Sequence, residues 1–600
     1  MNRLFKQALI TIFFIGQLVL VWALNRSPVL TSSLGQDEAL ERYGFSLRDV
    51  AREAGLVFHH ESPCELDKRL DHILPIIASM GASVSAVDFD RDGWIDLYVV
   101  NSREGSKNAL FRNLGNGRFE EVADKLGVAD LNQRGTGVCQ GAIWGDIDGD
   151  GYEDLFVYKW GKPELFRNNK GKSFTRLTDT AGLPEWVNAN AAVWLDFDRD
   201  GHLDLFLAGY WADDVNLWNL ATTRMMPTSF EYAKNGGNKY LLRNRGDGTF
   251  EDVSKAMGVQ STRWALAAAA ADLCGTGYPD IVIANDYGVP EFWHNQRGKR
   301  FEEIGHKTGI GIKPKSGMNV TMGDISNSGR LSLYITNISE PGNLVQGNFL
   351  FVPQKHEPGT PPRYYDLGPT LKVHLGGWSW GAQFGDLNND GYQDLYLTNG
   401  YISAGKDSYW YDYGLIAGGN TEIIKDALTW PAMKGRSLSG YQRKCLWLNR
   451  TGEFIDIAMS VGVTDVYDGR AVVLADLFNR GVLDVIVANQ NGPLLLYKNT
   501  VSPGRNWVQF DLQARGGNTS AIGALVRCFW RMDGADRLQE QVQVVTGGNG
   551  YASQNMRRLH FGLGYNASIE KVVIQWPSGQ TQTVLAPKVD TLHRIEESAR

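Results

Sequence analysis

The stretch Asp88-Phe89-Asp90-Arg91-Asp92-Gly93-Trp94-Ile95-Asp96 decides the fold. It places carboxylates at alternate positions, turns at a glycine and runs directly into the strand-like segment 97–100. Oxygen ligands at alternate positions around a glycine are what a calcium-sized ion requires. The same D-x-[DN]-x-D-G-x-x-D pattern recurs at 146–154, 196–204 and 386–394. The sequence therefore predicts about four Ca²⁺ sites, one in each complete turn.

A simpler interpretation of these turns needs no metal, because Asp and Gly are good turn formers on their own. Three or four carboxylates in one loop repel one another unless a cation compensates, and this favours calcium in the complete copies. Three further turns begin at Asp272, Asp324 and Asp476 and lack most of the carboxylates, and Arg480 replaces an acid in the last of them. We expect these three to be structural turns without tightly held metal.

Each acidic turn belongs to a larger repeat of short strands. A small-residue strand such as 141–145 enters the turn, and an apolar strand such as 154–157 leaves it. A third strand follows, and an Asn-x-Gly-x-Gly-x-Phe hairpin such as 113–119 leads into a fourth. Glycine supplies the positive φ that such hairpins need. Four antiparallel strands at each of seven turns predict an all-β fold, a seven-bladed β-propeller over residues 45–500.

The two ends of this array predict how the ring closes. The last unit reaches its third strand at 494–499, and the pattern then stops. Segment 45–50 has the F-x-x-x-[DE]-V shape of the missing fourth strand. We expect this N-terminal strand to complete the seventh blade and to lock the ring.

Composition narrows the classes of function. The chain has 600 residues and is 43% hydrophobic, so it is a folded protein. Its formal net charge is −7, and four bound Ca²⁺ would bring this to about +1, so we expect the calcium-loaded protein to be nearly neutral. The absence of a basic stripe argues against a nucleic-acid partner. Five scattered cysteines without a C-x-x-C pair support neither a zinc site nor a dense disulfide framework, and one or two disulfides stay open at this point.

The N-terminus predicts export. Arg3 and Lys6 precede an apolar run over 8–23, which is the arrangement of a signal peptide. The run is long for a signal peptide and marginal for a membrane span. We therefore interpret residues 1–25 as a signal peptide or as an N-terminal membrane anchor, and both alternatives stay open. Either one places the protein in the periplasm, on the cell surface or outside the cell, with membrane attachment in the second case.

Two long insertions follow second strands, at 211–238 and 401–443. The calcium turns join first to second strands, so these insertions lie on the opposite rim of the propeller. They are rich in aromatic residues, namely Trp211, Trp218, Tyr401, Tyr409, Trp410 and Tyr411. Aromatic residues on long loops are typical of a surface that binds a protein or carbohydrate ligand. The alternative is that the insertions pack as lids over the central channel.

The pattern changes from about residue 505. Five motifs follow in order: Asn506-Trp507-Val508, Ala521-Ile522-Gly523-Ala524, Gly548-Asn549-Gly550-Tyr551-Ala552-Ser553-Gln554, Phe561-Gly562-Leu563-Gly564 and Trp576-Pro577-Ser578-Gly579. They resemble the ASPIC/UnbV domain, which implies a β-rich, sandwich-like domain over 505–597. The upstream units resemble FG-GAP (VCBS-type) repeats. Together they are similar to the family that includes cartilage acidic protein, which implies a calcium-binding, secreted or surface protein used in adhesion or other extracellular interactions.

The resemblance also implies which residues hold the metal. Positions 1, 3, 5 and 9 of each complete turn contribute side chains, and position 7 contributes its backbone carbonyl. The implied side-chain ligands are Asp88, Asp90, Asp92, Asp96, Asp146, Asp148, Asp150, Asp154, Asp196, Asp198, Asp200, Asp204, Asp386, Asn388, Asp390 and Asp394. The implied carbonyl donors are Trp94, Tyr152, His202 and Tyr392.

Patterns for catalysis are weak. The chain has no G-x-S-x-G elbow, no H-E-x-x-H and no phosphate-binding glycine loop that opens a helix. The cluster His59-His60-Glu61 could bind a metal ion, but a polar loop is the favoured interpretation. Trp378 and Trp380 in Trp378-Ser379-Trp380 could stack on a sugar ring, but core packing is the favoured interpretation. We assign no catalytic and no cofactor-binding residue, and we favour a binding or adhesion module. The alternative is an exported enzyme acting on polysaccharide or a lipid-linked substrate, with its site in the channel among acids of the insertions such as Asp213, Asp412 and Glu422.

Overall fold

The computed structural model describes residues 34–532 and 537–599. Within these ranges the chain forms seven four-stranded antiparallel units, followed by a C-terminal β domain. The first strands of the seven units contact one another in a closed cycle, which is the arrangement of a β-propeller. The predicted signal peptide or anchor, residues 1–25, lies outside the described residues. None of the described helices combines the length and the apolar character needed to cross a membrane.

Each blade runs outward from its first strand to its fourth, in chain order in blades one to six, whereas blade seven takes its fourth strand from the N-terminal segment. The strands are, in blade one, Ser83–Val87, Asp96–Val100, Ala109–Asn113 and Phe119–Glu121; in blade two, Gly137–Gly145, Asp154–Gly161, Glu164–Asn168 and Phe174–Arg176; in blade three, Val187–Leu195, Asp204–Gly209, Lys239–Asn244 and Phe250–Asp252; in blade four, Trp264–Ala271, Asp280–Asp286, Glu291–Asn295 and Phe301–Glu303. They are, in blade five, Asn319–Gly323, Ser332–Thr336, Phe349–Pro353 and Tyr364–Asp366; in blade six, Ser379–Gly385, Asp394–Asn399, Cys445–Arg450 and Glu453–Asp456; in blade seven, Gly469–Ala475, Asp484–Asn489, Leu495–Val501 and Phe45–Asp49.

Short helices lie between and outside the blades. Those of the α type are Gln36–Tyr43, Ala51–Ala54, Leu74–Ala78, Ala123–Leu126, Gly305–Thr308, Trp410–Ala417 and Thr421–Ile424. Single 3₁₀ turns occupy Lys68–Ile73, Ile310–Ile312, Ala427–Thr429 and Met459–Val461. A two-residue hairpin pairs Ser339–Glu340 with Leu344–Val345.

The N-terminal strand closes the ring, as predicted. Phe45–Asp49 pairs antiparallel with the third strand of blade seven, with Phe45 opposite Val501 and Asp49 opposite Tyr497. Phe45 and Leu47 are buried, whereas Arg48 and Asp49 are exposed. The closure therefore joins the two ends of the propeller through backbone hydrogen bonds and through buried apolar side chains.

An Asp–Asn pair fastens six of the seven blades to the one before it. In blade two, the Asp154 carboxylate accepts a hydrogen bond from the backbone N–H of Asn168 at 2.7 Å. The Asn168 amide then donates to the carbonyl of Phe89 in the turn of blade one, at 2.8 Å. The equivalent inter-blade bonds are Asn113 to Leu477, Asn244 to Ile147, Asn295 to Phe197, Asn449 to Ile325 and Asn499 to Leu387. Blade five carries Ser332 and Pro353 at these two positions.

The C-terminal domain is a sandwich of two sheets. One sheet contains Arg505–Gln513, Leu559–Tyr565 and Thr591–Glu596, and the other contains Leu525–Arg531, Gln539–Val544, Ser568–Gln575 and Thr581–Leu585. The domain rests on the rim that carries the acidic turns, and its apolar core is continuous with that of blades two and three. This face of the propeller is therefore covered by the chain itself.

A glycine-rich loop of this domain, residues 547–556, enters the central channel. Its short strand Ser553–Gln554 pairs in parallel with Val84 and Ser85 of blade one. The Gln554 amide accepts from Trp144 N at 2.7 Å and donates to Trp144 O at 2.9 Å in blade two. Tyr551 is fully buried beside Trp380, with its hydroxyl donating to the carbonyl of Met80. The loop thus fills the channel and contacts several blades.

The insertions cover the other end of the channel. They interlock with each other through a backbone hydrogen bond of 3.0 Å from Met226 to Lys425, and the segment 51–82 joins them. Of the six aromatic residues singled out above, four are buried, Trp218 is half-buried, and Tyr411 is 78% exposed. The lid interpretation is therefore confirmed for most of these residues. Only Tyr411 stands fully on the surface.

Candidate metal centres

Three of the four complete turns bring their carboxylates together. Donor oxygens lie within 4.8 Å of one another in the clusters Asp88–Asp90–Asp96, Asp146–Asp148–Asp154 and Asp196–Asp198–Asp204. These are positions 1, 3 and 9 of the repeat, brought together because the turn folds back onto the start of the second strand. The aspartates at position 5 lie outside these clusters. Positions 1, 3 and 9 are therefore the sets that can hold a metal ion.

The local backbone explains why glycine follows position 5. Gly93 has a φ of 90° and donates its N–H to the Asp88 carboxylate at 3.0 Å. Gly201 and Gly391 repeat this bond to Asp196 and Asp386, at 3.1 and 2.7 Å. A residue with a Cβ would be strained at this positive φ. The turn is thus built around the first aspartate, and in blades one and three the other oxygen of that aspartate accepts no hydrogen bond.

Three buried carboxylate oxygens in the turns of blades one and three have no partner among the described residues. Asp88 Oδ1, Asp196 Oδ1 and Asp198 Oδ1 are buried and accept no hydrogen bond. A buried carboxylate oxygen without a partner is costly unless a proton or a cation satisfies it. The donor set is composed of hard oxygens only, which fits a divalent cation such as calcium or magnesium.

The electrostatics of the turns lead to the same conclusion. Burial, and then repulsion from Asp200 and Asp198, raises the pKa of Asp196 to about 7. Burial is also the largest cause that raises the pKa of Asp88 and of Asp146 to about 6. Asp204, at position 9, has its pKa raised well above the usual range for the same reason. The raised pKa values show that the buried carboxylates of one turn resist ionising together, and a bound cation would stabilise their charged form.

Arginines of the third strands already neutralise part of the negative charge of these turns. The Arg112 guanidinium donates to Asp90 at 2.6 Å and to Asp92 at 3.0 Å, and Arg243 pairs with Asp198 at 3.0 Å. Asp92 is therefore engaged by Arg112, away from the cluster of positions 1, 3 and 9. The carbonyl role of Trp94, Tyr152, His202 and Tyr392 stays a prediction.

The fourth complete turn has a different arrangement. The Asn388 amide donates to Asp390 Oδ2 at 3.0 Å, and its carbonyl oxygen accepts from Asp390 N at 3.1 Å. Burial, followed by the neighbouring Asp390, raises the pKa of Asp386 well above the usual range. Asp394 is buried with them and has its pKa raised likewise. This turn holds two buried acids, one half-buried acid and a buried amide.

The three incomplete turns keep the same backbone but not the charge. The first aspartate still accepts from the glycine N–H, as Gly481 shows toward Asp476 at 2.6 Å. In blade seven the Arg480 guanidinium lies 2.9 Å from Asp484. An internal cation therefore occupies the neighbourhood of the ninth-position carboxylate there. This geometry agrees with the expectation of a structural turn.

Contacts from the C-terminal domain reach the same aspartates, which sequence reasoning did not foresee. The Thr519 hydroxyl donates to Asp146 Oδ2, and the Gln509 amide donates to Asp476 Oδ2 at 3.0 Å. The Val542 N–H donates to Asp324 Oδ2 at 3.2 Å. No sequence signal links these residues to the turns, because the contacts depend on how the two domains dock.

The two weaker candidates from the sequence are part of the packed structure. His60 is buried, its Nε2 accepts from Ala82 N at 3.0 Å, and burial lowers the pKa of this imidazole to about 3. Trp378 stacks on Tyr401 at 4.3 Å, and the Arg470 guanidinium lies 4.0 Å from the ring of Trp380. The favoured interpretations, a polar loop and core packing, are those that the structure supports.

Comparison with known proteins defines the class. An FG-GAP-like repeat model matches residues 88–157, 146–207 and 232–283, and an ASPIC and UnbV model matches residues 514–600. The chain is thus a β-propeller of FG-GAP-like repeats with a C-terminal ASPIC and UnbV domain.

Among individual proteins, the chain is similar to cartilage acidic protein 1 of Mus musculus, with 20% identity over 83% of this chain and 70% of that protein. Two solved structures are similar to the chain at a low level. One is an Agrocybe aegerita lectin that recognises terminal N-acetylglucosamine, with a TM-score of 0.34, 15% identity, and coverage of 64% of this chain and 82% of that one. The other is BBS1N in complex with ARL6DN, with a TM-score of 0.38, 10% identity, and coverage of 75% and 97%.

Proposed function

We propose that the chain is an exported calcium-binding β-propeller that acts as a binding or adhesion module, outside the cell or in the periplasm, for a protein or glycan ligand. The observation that carries the binding role is the outer surface of the lid. One rim is covered by the C-terminal domain, whereas the lid on the other rim exposes large apolar side chains. Calcium in the four complete turns would have a structural role, because each site lies within a single turn.

The lid surface consists of five exposed residues of the second insertion. They are Tyr411 at 78% exposure, Leu415 at 56%, Ile423 at 41%, Leu428 at 56% and Tyr441 at 57%. Tyr411 and Leu415 are four residues apart on the helix Trp410–Ala417, so they share one face of it. The helix Thr421–Ile424, which carries Ile423, contacts this helix, and the 3₁₀ turn Ala427–Thr429, which carries Leu428, contacts Thr421–Ile424. Exposed apolar residues grouped in this way are typical of an interaction surface.

The enzyme alternative receives no comparable support. The channel in which its site would lie is filled by the loop 547–556 from one side and by the lid from the other. The acids of the insertions are engaged elsewhere: Asp213 accepts from Tyr240 at 2.6 Å, and Asp412 pairs with Arg436 at 2.6 Å. Among the described residues these carboxylates form ion pairs and hydrogen bonds to the lid rather than a facing acidic pair.

The experiment that tests this function is capture of a ligand by the full chain. Purified protein is offered envelope and extracellular-matrix extracts and a glycan array, in calcium and in chelator. We expect specific capture in calcium that is lost in the double variant Tyr411→Ala, Leu415→Ala. The matched control is Leu585→Ala, which removes an equally exposed leucine, at 75%, from the C-terminal domain. Equal capture by both variants, or no capture by folded protein in calcium, would contradict the proposal.

Export is tested separately by fractionation. We expect the full chain to appear in the periplasmic, surface or extracellular fraction through residues 1–25. A processed N-terminus would favour the signal peptide, and an intact one with membrane association would favour the anchor. Retention in the cytoplasm would contradict export.

A further inference from the structure

The turn of blade four differs chemically from every complete turn. It reads Asp272-Leu273-Cys274-Gly275-Thr276-Gly277-Tyr278-Pro279-Asp280, so position 3 is a cysteine and position 9 is still an aspartate. The third strand contributes His294 at the position that holds Arg112 in blade one and Arg243 in blade three. The Cys274 thiol, the Asp280 carboxylate and the His294 imidazole place donor atoms within 4.8 Å of one another.

This cluster is fixed by its surroundings. Asp280 Oδ1 lies 2.8 Å from His294 Nδ1 and accepts from Asn295 N at 2.9 Å. Its other oxygen accepts from Leu273 N and Cys274 N at 3.1 and 3.0 Å. Three backbone N–H groups from two different segments therefore hold the carboxylate in place. Cys274 and Asp280 are completely buried, whereas the His294 side chain is 14% exposed and opens the cluster to solvent.

The donor types decide which ion fits. Calcium takes hard oxygen ligands, and this turn has exchanged one of them for sulfur and gained an imidazole nitrogen. A thiolate, an imidazole and a carboxylate together suit a borderline-soft dication, of which zinc is the usual example. The thiolate and the carboxylate neutralise the two positive charges. Three protein ligands also leave the fourth tetrahedral position to a water molecule.

We infer that Cys274, Asp280 and His294 form a transition-metal site of the zinc type in blade four, at the position where the complete turns are predicted to hold calcium. Binding releases two protons to solvent, one from the Cys274 thiol and one from Nδ1 of the protonated His294 ring, which then ligates as the neutral imidazole with its remaining proton on Nε2. The inference replaces the expectation from the sequence that this turn holds no metal. It is independent of the lid surface and of calcium in the other turns.

A metal-free alternative explains the same geometry differently. Hydrogen bonding to Asp280 raises the pKa of His294, so a protonated imidazole can serve as the counter-ion of that carboxylate. Arg480 has this role beside Asp484 in blade seven. The two accounts differ in whether sulfur is bonded to a metal, and this is directly measurable.

The probe is Co²⁺, which reports thiolate ligation by a charge-transfer absorption in the near ultraviolet. The purified full chain, reduced and held in excess calcium to occupy the oxygen-only turns, is titrated with CoCl₂ and then with ZnCl₂. We expect one equivalent of Co²⁺ with the thiolate band, and we expect zinc to displace it. Saturation without a thiolate band, or no uptake, would overturn the inference in favour of the imidazolium counter-ion.

Three variants assign the ligands. Cys274→Ser should abolish the thiolate band, and His294→Gln should weaken Co²⁺ binding by about tenfold or more. Cys528→Ser is the matched control, because Cys528 is another buried free cysteine, located in the C-terminal domain. It should leave the band and the affinity unchanged. The melting curve in calcium shows whether Cys274→Ser folds. If it does not fold, the test rests on His294→Gln, because His294 is partly exposed. Unchanged Co²⁺ affinity in His294→Gln would then overturn the inference.

Discussion

Replacing Leu47 by alanine tests the closure of the propeller at a single side chain. Leu47 lies in the N-terminal strand opposite Asn499 of blade seven and is 2% exposed. Truncation of a buried leucine removes its transfer free energy and leaves a cavity, at a total cost of about 2–5 kcal/mol. This is a large part of the roughly 5–15 kcal/mol by which a protein domain is stable. Because the strand joins the two ends of the ring, we expect the loss to lower the stability of the propeller as a whole.

The neighbouring residue supplies the control. Arg48 lies in the same strand, and its ion pair with Glu53 has exposed fractions of 54% and 65%. An exposed ion pair of this kind contributes about 0–1 kcal/mol, so Arg48→Ala should be nearly neutral. The free energy of unfolding is measured by urea denaturation in excess calcium, with tryptophan fluorescence and far-ultraviolet circular dichroism as two probes. Leu47→Ala should shift both curves together to lower urea.

The contrary result is also clear. If Leu47→Ala and Arg48→Ala have the same midpoint as the unmodified protein, the strand 45–49 does not hold the ring closed. If only one probe shifts, the seventh blade opens locally while the rest of the propeller is unaffected. Either outcome would refute the reasoning that a single N-terminal strand locks the whole ring.

Three further predictions concern other parts of the fold. Asn168→Ala removes an inter-blade hydrogen bond and leaves a buried carbonyl without a partner. The free energy of unfolding should therefore fall by about 1–3 kcal/mol in the same urea assay, whereas Asn169→Ala should change it little. In the folded protein the pKa of His60 is lowered to about 3. The contribution of His60 to stability is therefore present above pH 6.5 and is lost as the pH falls toward 3. Between pH 7 and pH 5 the free energy of unfolding of the unmodified protein should fall by about 2 kcal/mol more than that of His60→Gln. Tyr551→Ala empties part of the channel and should weaken the docking of the C-terminal domain. Limited proteolysis should then cut the linker near 501–504 faster than in the unmodified protein. Equal cutting rates would contradict a role for the loop 547–556 in docking this domain.

The architecture could be predicted from the sequence because its signals are local. Each acidic turn and each glycine hairpin is a short motif, and their repetition indicates the blades. The closing strand 45–50 was recognisable because it repeats the fourth-strand pattern. The same locality explains why the carboxylates at positions 1 and 3 of three turns, which are neighbours along the chain, also lie close together in space.

The remainder depends on contacts between distant segments. The burial of Trp211, Tyr401, Tyr409 and Trp410 follows from two insertions packing on each other, and composition alone does not distinguish a lid from a binding surface. The position-9 aspartates have a second role that spacing does not reveal, since they orient the asparagines that join the blades. Cys274 and His294 meet only through the register of the strands between them, so no linear motif connects them.

The most direct test of calcium binding by these turns is the number of calcium ions that the full chain binds. Protein freed of calcium with a chelator is titrated by isothermal calorimetry at neutral pH, beside the variants Asp196→Asn and Asp476→Asn. About four calcium ions should bind, with one site lost or strongly weakened in Asp196→Asn and all retained in Asp476→Asn, whose turn has no acid at positions 3 and 5. Binding that does not saturate, or that Asp196→Asn leaves unchanged, would contradict the assignment of the acidic turns as calcium sites.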